Sequence, residues 1–274
     1  MRRRKFLDKA FKVGILIFSF FTIIPLLIIL FTLIKWGISA INLDLITKVS
    51  RPVGERGGAL NSIVGTLIIT TVATLIATPI SIFAGVYVAE FPDKFLSKVT
   101  AISSRLIAGI PSIVIGVVTY LWCVKPMRGY SALAGSIALA IMMIPNLVTA
   151  TVESIMMIPK DFKEASRALG ANLTNTTLKV IIPFAIPGIL TGLLTSFARV
   201  AGETAPLLFT SFGNPFMNLN LLKPMNALPL LIYNYATSPY KEWHQIAWGA
   251  SLILILIVFL ISILAKLGVR KRKM

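Results

Sequence analysis

The stretch DFKEASRALGANLTNTTLKVIIP, residues 161–183, is a polar, charged segment in a chain that is otherwise mostly apolar. It predicts a short amphipathic helix, because Phe162, Ala165 and Leu169 share one helical face. Gly170 follows where many helices end in a left-handed residue. A helix of about ten residues is marginally stable alone in water, so it needs a surface to pack on. From these residues alone, a helix lying on the membrane and a helix docked on another protein are both open.

The apolar runs around this segment indicate an integral membrane protein. The 274 residues are 56% hydrophobic and 14% charged, whereas soluble domains carry about 25% charged residues. Each of six uncharged runs supplies the roughly 20 residues that a helix needs to cross a bilayer, where long unalternating runs form helices. We therefore predict an all-α integral membrane protein of six transmembrane helices, with the short polar helix between spans four and five. The predicted spans are 13–34, 62–88, 106–124, 133–151, 186–209 and 246–265.

The net charge of +17 follows the predicted membrane topology. Most of the 27 Lys and Arg residues fall in segments on the same side as the N-terminus, and this excess is typical of the cytoplasmic side. Both termini are therefore predicted in the cytoplasm of a multi-pass protein of the cell (inner, cytoplasmic) membrane. The expected partner of these spans is the lipid bilayer. The membrane topology explains the positive charge, so we expect no nucleic acid as a partner.

The chain is predicted to form one membrane domain over residues 1–274. Residues 1–57 supply an uncleaved first span and an external loop, and the core module covers about residues 58–268. A second external loop over residues 210–245 contains NALPLLIYNYA, for which we predict an interfacial or re-entrant helix. The sequence has no large soluble domain, and no internal repeat was found in it.

Few residue types in the chain suit catalysis or metal binding. Cys123 is the only cysteine, so a disulfide framework or a cysteine metal cluster is excluded. We expect no catalytic residues and no metal site. Glu90 and Glu153 end their predicted spans on the cytoplasmic side. We interpret them as solvated edge charges, with a role in gating as the less favoured alternative.

The motif EAS at residues 164–166, with Gly170 and with VIIP at residues 180–183, resembles the EAA loop of ATP-binding-cassette (ABC) importer permeases. That signature is Glu-Ala-Ala, three residues, Gly, nine residues and Ile-x-Leu-Pro; three residue types differ here and the spacing is intact. The resemblance implies the type I permease fold, in which this short helix sits in a cleft of a cytoplasmic ATPase subunit. The residues that it implies for ATPase coupling are Phe162, Glu164, Ala165, Ser166, Leu169 and Gly170.

A wider resemblance concerns the substrate. From about residue 57 to residue 210 the chain is similar to the A-type permease subunits of phosphate importers, and RVAGETAPLLF at residues 199–209 is the most specific part. The resemblance implies import of inorganic phosphate into the cytoplasm by a non-catalytic subunit. The implied partners are a dimer of cytoplasmic ATP-binding subunits, a homologous second permease in a heterodimer, and an extracytoplasmic phosphate-binding protein.

Arg199 and Glu203 are the charged pair inside predicted span five. Four residues apart, they are predicted to share one helical face, and intramembrane charges are candidates for function. Counted from Gly188, Arg199 lies about 17 Å along the helix, near the middle of the membrane. Its guanidinium suits phosphate oxygens, so we predict that the pair lines the substrate pathway. A structural ion pair that locks the span remains the alternative.

Other functions remain open at this point. The sequence lacks the G-x-x-x-x-G-K-[ST] loop that binds ATP phosphates, so the chain is expected to have no cofactor, and ATP and Mg²⁺ are expected on the partner ATPase. Import of another oxyanion, such as sulfate, molybdate or tungstate, is the main alternative. An ion-coupled secondary transporter ranks lower, because such proteins place several ionisable groups in their spans.

Overall fold

A computed structural model describes the backbone of residues 2–271 and the side chains of residues 11–267. Regular structure in this part of the chain is helical, apart from one isolated β-bridge between Phe212 and Met225. The helices are α1 (Arg2–Ala40), α2 (Leu43–Thr47), α3 (Leu60–Glu90), α4 (Phe95–Ala108), α5 (Ser112–Met127), α6 (Ala132–Met156), α7 (Lys160–Ala168), α8 (Leu173–Ala201), α9 (Ala205–Thr210), α10 (Leu228–Ala236) and α11 (Lys241–Lys271). The predicted all-α class is confirmed.

The number of apolar spans also agrees with the prediction. Within the described residues, α1, α3, α6, α8 and α11 are each long and apolar enough to cross a membrane. The bent pair of α4 and α5 makes a sixth span when it is counted as one. The structure thus offers five continuous spans and one broken span.

The predicted third span, residues 106–124, is wrong in shape. Helices α4 and α5 meet at 106° across a short break that contains Gly109 and Pro111. A proline has no amide hydrogen to donate and disfavours helical geometry in the residue before it. Pro111 adopts φ −56° and ψ 135°, so the helix restarts only at Ser112.

The predicted fifth span, residues 186–209, is wrong at both ends. Helix α8 begins at Leu173, and a π-helical turn at Thr177–Ile181 carries it into Pro183 without a break. It ends at Ala201, with Gly202 as its C-cap. Residue 203 therefore lies outside α8, and the next helix, α9, begins at Ala205.

The loop at residues 210–245, predicted to be external, contains the helix that its sequence predicts. Within NALPLLIYNYA, residues Leu228–Ala236 form α10, in which Leu228, Leu230 and Leu231 are buried. The backbone amide of Leu228 donates to the hydroxyl of Thr66 on α3 at 2.7 Å. Helix α10 is therefore packed into the bundle, while its depth relative to a bilayer stays a prediction.

Small residues hold α3 against its neighbours. Ala73 and Ala77 on α3 are fully buried in a core cluster with Leu139 and Met143 of α6. Gly85 lies so close to α6 that a Cβ atom there would meet the side chain of Thr151. Helix–helix packing in lipid depends on such small residues, because apolar burial drives little association there.

The fold makes a prediction at Gly65, which lies on α3 against the backbone carbonyl of Asn226. Replacing Gly65 with Val puts side-chain atoms where that carbonyl is, so we expect a loss of about 1–3 kcal/mol in folding free energy. Thermal unfolding of the detergent-purified protein measures this loss. Gly14→Val is the matched control, because no atom lies within 4 Å of a Cβ added there. Equal stability of the two variants would contradict the close contact.

Candidate coupling helix and substrate pathway

The short helix predicted in the polar segment is present as α7. Pro159 precedes its first residue, and Asp161 lies in its first turn, where an acidic side chain favours the helix dipole. Gly170 follows the helix with φ +85°, a left-handed conformation that costs glycine little. The predicted helix start and the predicted left-handed glycine are both confirmed.

One side of α7 is attached to the rest of the chain. Lys163 Nζ donates to Glu90 Oε1 at the end of α3 at 2.7 Å. The hydroxyls of Ser166 and Thr176 are 2.9 Å apart. The ring of Phe162 lies 4.9 Å from the ring of Phe184, at an interplanar angle of 51°. These contacts fix α7 beside the C-terminal end of α3 and the start of α8.

The other side of α7 is free in this single chain. Leu169 is 90% exposed, and Glu164 and Ala165 are exposed beside it. Helical spacing predicts that Phe162 shares a face with Ala165 and Leu169, yet its ring packs near the ring of Phe184. Ser166, another predicted coupling residue, also faces the chain itself. Two of the predicted coupling residues therefore have contacts within the chain itself, and Phe162 is also 43% exposed.

Glu90 lies in a setting that the local sequence does not predict. Its side chain is only 6% exposed and is paired with Lys163, so its interpretation as a solvated edge charge is wrong. Glu153 is exposed, as that interpretation expects. No local pattern could reveal the difference, because Lys163 is 73 positions from Glu90 in the sequence.

The predicted pathway residues lie at the C-terminal end of α8. Arg199 occupies its last turn, and Glu203 follows the C-cap Gly202. The prediction of one shared helical face is therefore wrong, although Arg199 Nε and Glu203 Oε1 still approach to 4.0 Å. The side chains are 52% and 21% exposed. At this distance and exposure the ion pair contributes little to stability.

The level of Arg199 in the bundle follows from the register between α8 and α6. Gly188 lies against Ser154, and Gly192 lies against Ala150, so the two helices run antiparallel. Continuing that register brings Arg199 level with residue 143, close to the middle of α6.

Core packing agrees with this level. Phe197 and Val200, on either side of Arg199 in the sequence, belong to the same buried cluster as Met143. Arg199 itself points away from that cluster, since more than half of its side chain is exposed.

A polar line along α8 leads to Arg199. Thr191 and Thr195 are exposed and, at intervals of four residues, share a helical face with Arg199. Their hydroxyls donate to the carbonyls of Pro187 and Thr191, each at 2.9 Å, and their oxygens remain free to accept. The two hydroxyls are satisfied within the helix, but the charge of Arg199 is unfavourable against lipid. That charge indicates that this part of α8 meets water, substrate or another subunit.

The family follows from a comparison with known proteins. Residues 79–273 match the family model described as binding-protein-dependent transport system inner membrane component. The chain belongs to this family. With its apolar spans, it is a multi-pass membrane protein and a component of a transport system.

Curated relatives in this family carry more specific names. The chain is 40% identical to the "Phosphate transport system permease protein PstA" of Pasteurella multocida, over 90% of this chain and 89% of that protein. It is 39% identical to the "Probable phosphate transport system permease protein PstA" of Methanocaldococcus jannaschii, over 92% and 90% of the two chains. The match extends over nearly the whole length of both relatives.

Solved structures agree on the fold. A chain of the inward-facing MetNI methionine ABC transporter matches with a TM-score of 0.66 at 20% identity, covering 77% of this chain and 94% of that one. A chain of an amino acid ABC transporter matches with a TM-score of 0.57 at 20% identity, covering 77% and 92%. The predicted fold, that of a type I ABC importer permease, is confirmed.

Proposed function

We propose that this chain is the transmembrane permease subunit of an ATP-driven importer that moves inorganic phosphate into the cytoplasm. The observation that carries the proposal is identity of 36–40% to relatives named as phosphate transport permeases, over 86–92% of the chain. The solved amino acid transporters are only 19–20% identical. Phosphate is therefore the substrate that the relatives favour.

The chain acts without chemistry of its own in this proposal. ATP and Mg²⁺ are bound by a dimer of cytoplasmic ATPase subunits, and a homologous second permease completes the membrane part as a heterodimer. An extracytoplasmic binding protein delivers phosphate. Residues 1–274 form one domain with its core at about residues 58–268, and both termini lie in the cytoplasm. The distribution of basic residues supports this orientation.

Helix α7 connects the ATPase to the membrane part in this proposal. Its attached side already contacts α3 and α8, so its free side remains for the ATPase. Glu164, Ala165 and Leu169 contact the ATPase cleft directly, whereas Phe162 and Ser166 hold the helix to its own chain. Gly170 lets the chain turn back toward the membrane. Closure of the ATPase dimer then shifts the permease between two conformations, because closure favours one of them.

Arg199 is the phosphate contact at mid-height in this proposal. Its half-exposed guanidinium offers paired donors to phosphate oxygens, and the free oxygens of Thr191 and Thr195 accept from a protonated phosphate. Glu203 lies close enough to reduce the attraction without neutralising it. Conduction needs binding weak enough for release, and a loose pair at 4.0 Å meets that need.

The proposed substrate is tested by competition in liposomes that contain the complete transporter. Uptake of labelled phosphate should fall when unlabelled phosphate is added in excess. Equal excess of sulfate, molybdate or tungstate should leave the uptake unchanged, because these dianions carry no proton to donate to the free oxygens of Thr191 and Thr195. Stronger inhibition by one of those three oxyanions would assign the transporter to that anion instead.

The proposed role of Arg199 is tested by Arg199→Gln. Loss of charge-assisted hydrogen bonds of about 1.5–3 kcal/mol should lower phosphate uptake roughly ten- to a hundred-fold. Arg199→Lys keeps the positive charge but not the paired donors of the guanidinium, so it should retain intermediate uptake. Thermal stability should change by less than about 1 kcal/mol, with membrane insertion checked for each variant. Normal uptake by Arg199→Gln would remove Arg199 from the pathway, and a large loss of stability would favour the structural ion pair.

The proposed docking of α7 is tested by Leu169→Asp. Removing a buried leucine from the interface should weaken ATPase binding at least about tenfold, measured as co-purification of the ATPase with the permease. Phe95→Asp is the control, because Phe95 is a similarly exposed apolar residue that starts α4 rather than α7. Retention of the ATPase by Leu169→Asp, or its equal loss in both variants, would contradict docking through the free side of α7.

A further inference from the structure

Glu90 is a buried carboxylate at an unfavourable position. It is the last residue of α3, and the C-terminal end of a helix carries a partial negative charge that disfavours an acidic side chain. Its side chain is 6% exposed, and that of its partner Lys163 is 25% exposed. Water screens such a pair far less than a surface pair. Separating the two side chains would leave a carboxylate without its cation in a poorly solvated place, so they are expected to move together.

The pair is the link between α7 and α3. The other two attachments of α7, Ser166 to Thr176 and Phe162 to Phe184, lead to α8, which directly follows α7 in the chain. Among the side-chain hydrogen bonds and ion pairs of residues 11–267, only Lys163–Glu90 connects α7 to a span other than α8. A movement of α7 therefore has this direct polar connection to α3.

Helix α3 leads from this link to the opposite end of the bundle. It runs as one helix through Pro79 for 31 residues, about 45 Å at 1.5 Å per residue. Near its start, the amide of Asn61 donates to the backbone carbonyls of Asn214 and Pro215 at 2.9 and 3.1 Å. The carboxamide oxygen of Asn61 also accepts from Ser50. The far end of α3 is thus bonded to the external loops.

We propose that the Lys163–Glu90 ion pair transmits the movement of α7 to α3 and, along α3, to the external loop at residues 214–228. Lys163 and Glu90 are positioning residues in this proposal, because they act through α3 and not by contact with the ATPase or the substrate. When ATPase closure moves α7, Lys163 carries Glu90 with it, and the rigid length of α3 carries the displacement to Asn61. The inference rests on the proposed function, because it takes docking of α7 on an ATPase as given.

The test measures coupling in the complete transporter reconstituted in liposomes with its phosphate-binding protein. Import of inorganic phosphate and hydrolysis of ATP are recorded together. Lys163→Gln and Glu90→Gln should each lower the phosphate imported per ATP at least about fivefold, the low end for coupling between sites. The ATPase should stay bound and active, because the free side of α7 is unchanged. Lys160→Gln is the matched control, since Lys160 is exposed on the same helix and forms no ion pair with a described residue.

A charge reversal distinguishes transmission of movement from α7 to α3 from an ion pair that only stabilises the fold. The double variant Lys163→Glu with Glu90→Lys restores the attraction and should recover most of the phosphate imported per ATP. A wild-type ratio in both single variants would overturn the proposal, and so would a reversed pair that recovers stability but not the ratio. Failure of the wild-type chain to bind an ATPase or import phosphate would instead overturn the proposed function.

Discussion

The close packing of α3 against α6 is the interaction on which the rest of the structure depends. Membrane helices gain little from apolar burial alone, so contact between Gly85 and Thr151 and the small residues around Ala73 and Ala77 bring the two helices together. Helix α8 packs on α6 in turn. The same stack therefore fixes the height of Arg199 on α8 and the position of Glu90 at the end of α3. The two candidate sites are parts of one packed unit.

Helix α7 has one side attached to its own chain and one side exposed, and this arrangement supports so short a helix. Nine residues do not form a stable helix alone in water, and the contacts of Lys163, Ser166 and Phe162 supply the support. The side of Leu169 is exposed in this chain, and it is the side where we propose that the ATPase binds. Because the supporting contacts lead into two different spans, a partner that moves α7 acts on the bundle in two places at once.

The sequence predicted the features that local patterns determine and missed those that depend on distant residues. Apolar runs located the spans, and Gly170 gave the end of α7, since a left-handed residue is a local requirement. The bend at Pro111 and the end of α8 at Gly202 have local signals, a proline and a glycine, but these signals lie within apolar runs whose hydropathy favours one continuous helix. The burial of Glu90 has no local signal, because it depends on how α7 folds back onto α3. The register that sets the height of Arg199 likewise needs the packed helices.

The coupling role of α7 is the central claim, and a cryo-electron microscopy structure of the assembled transporter tests it most directly. The expected result is α7 seated in the ATPase subunit, with Leu169 buried there and Lys163 still paired with Glu90. A working complex in which α7 lies on the bilayer, with Leu169 against lipid and the ATPase engaged elsewhere, would contradict the claim.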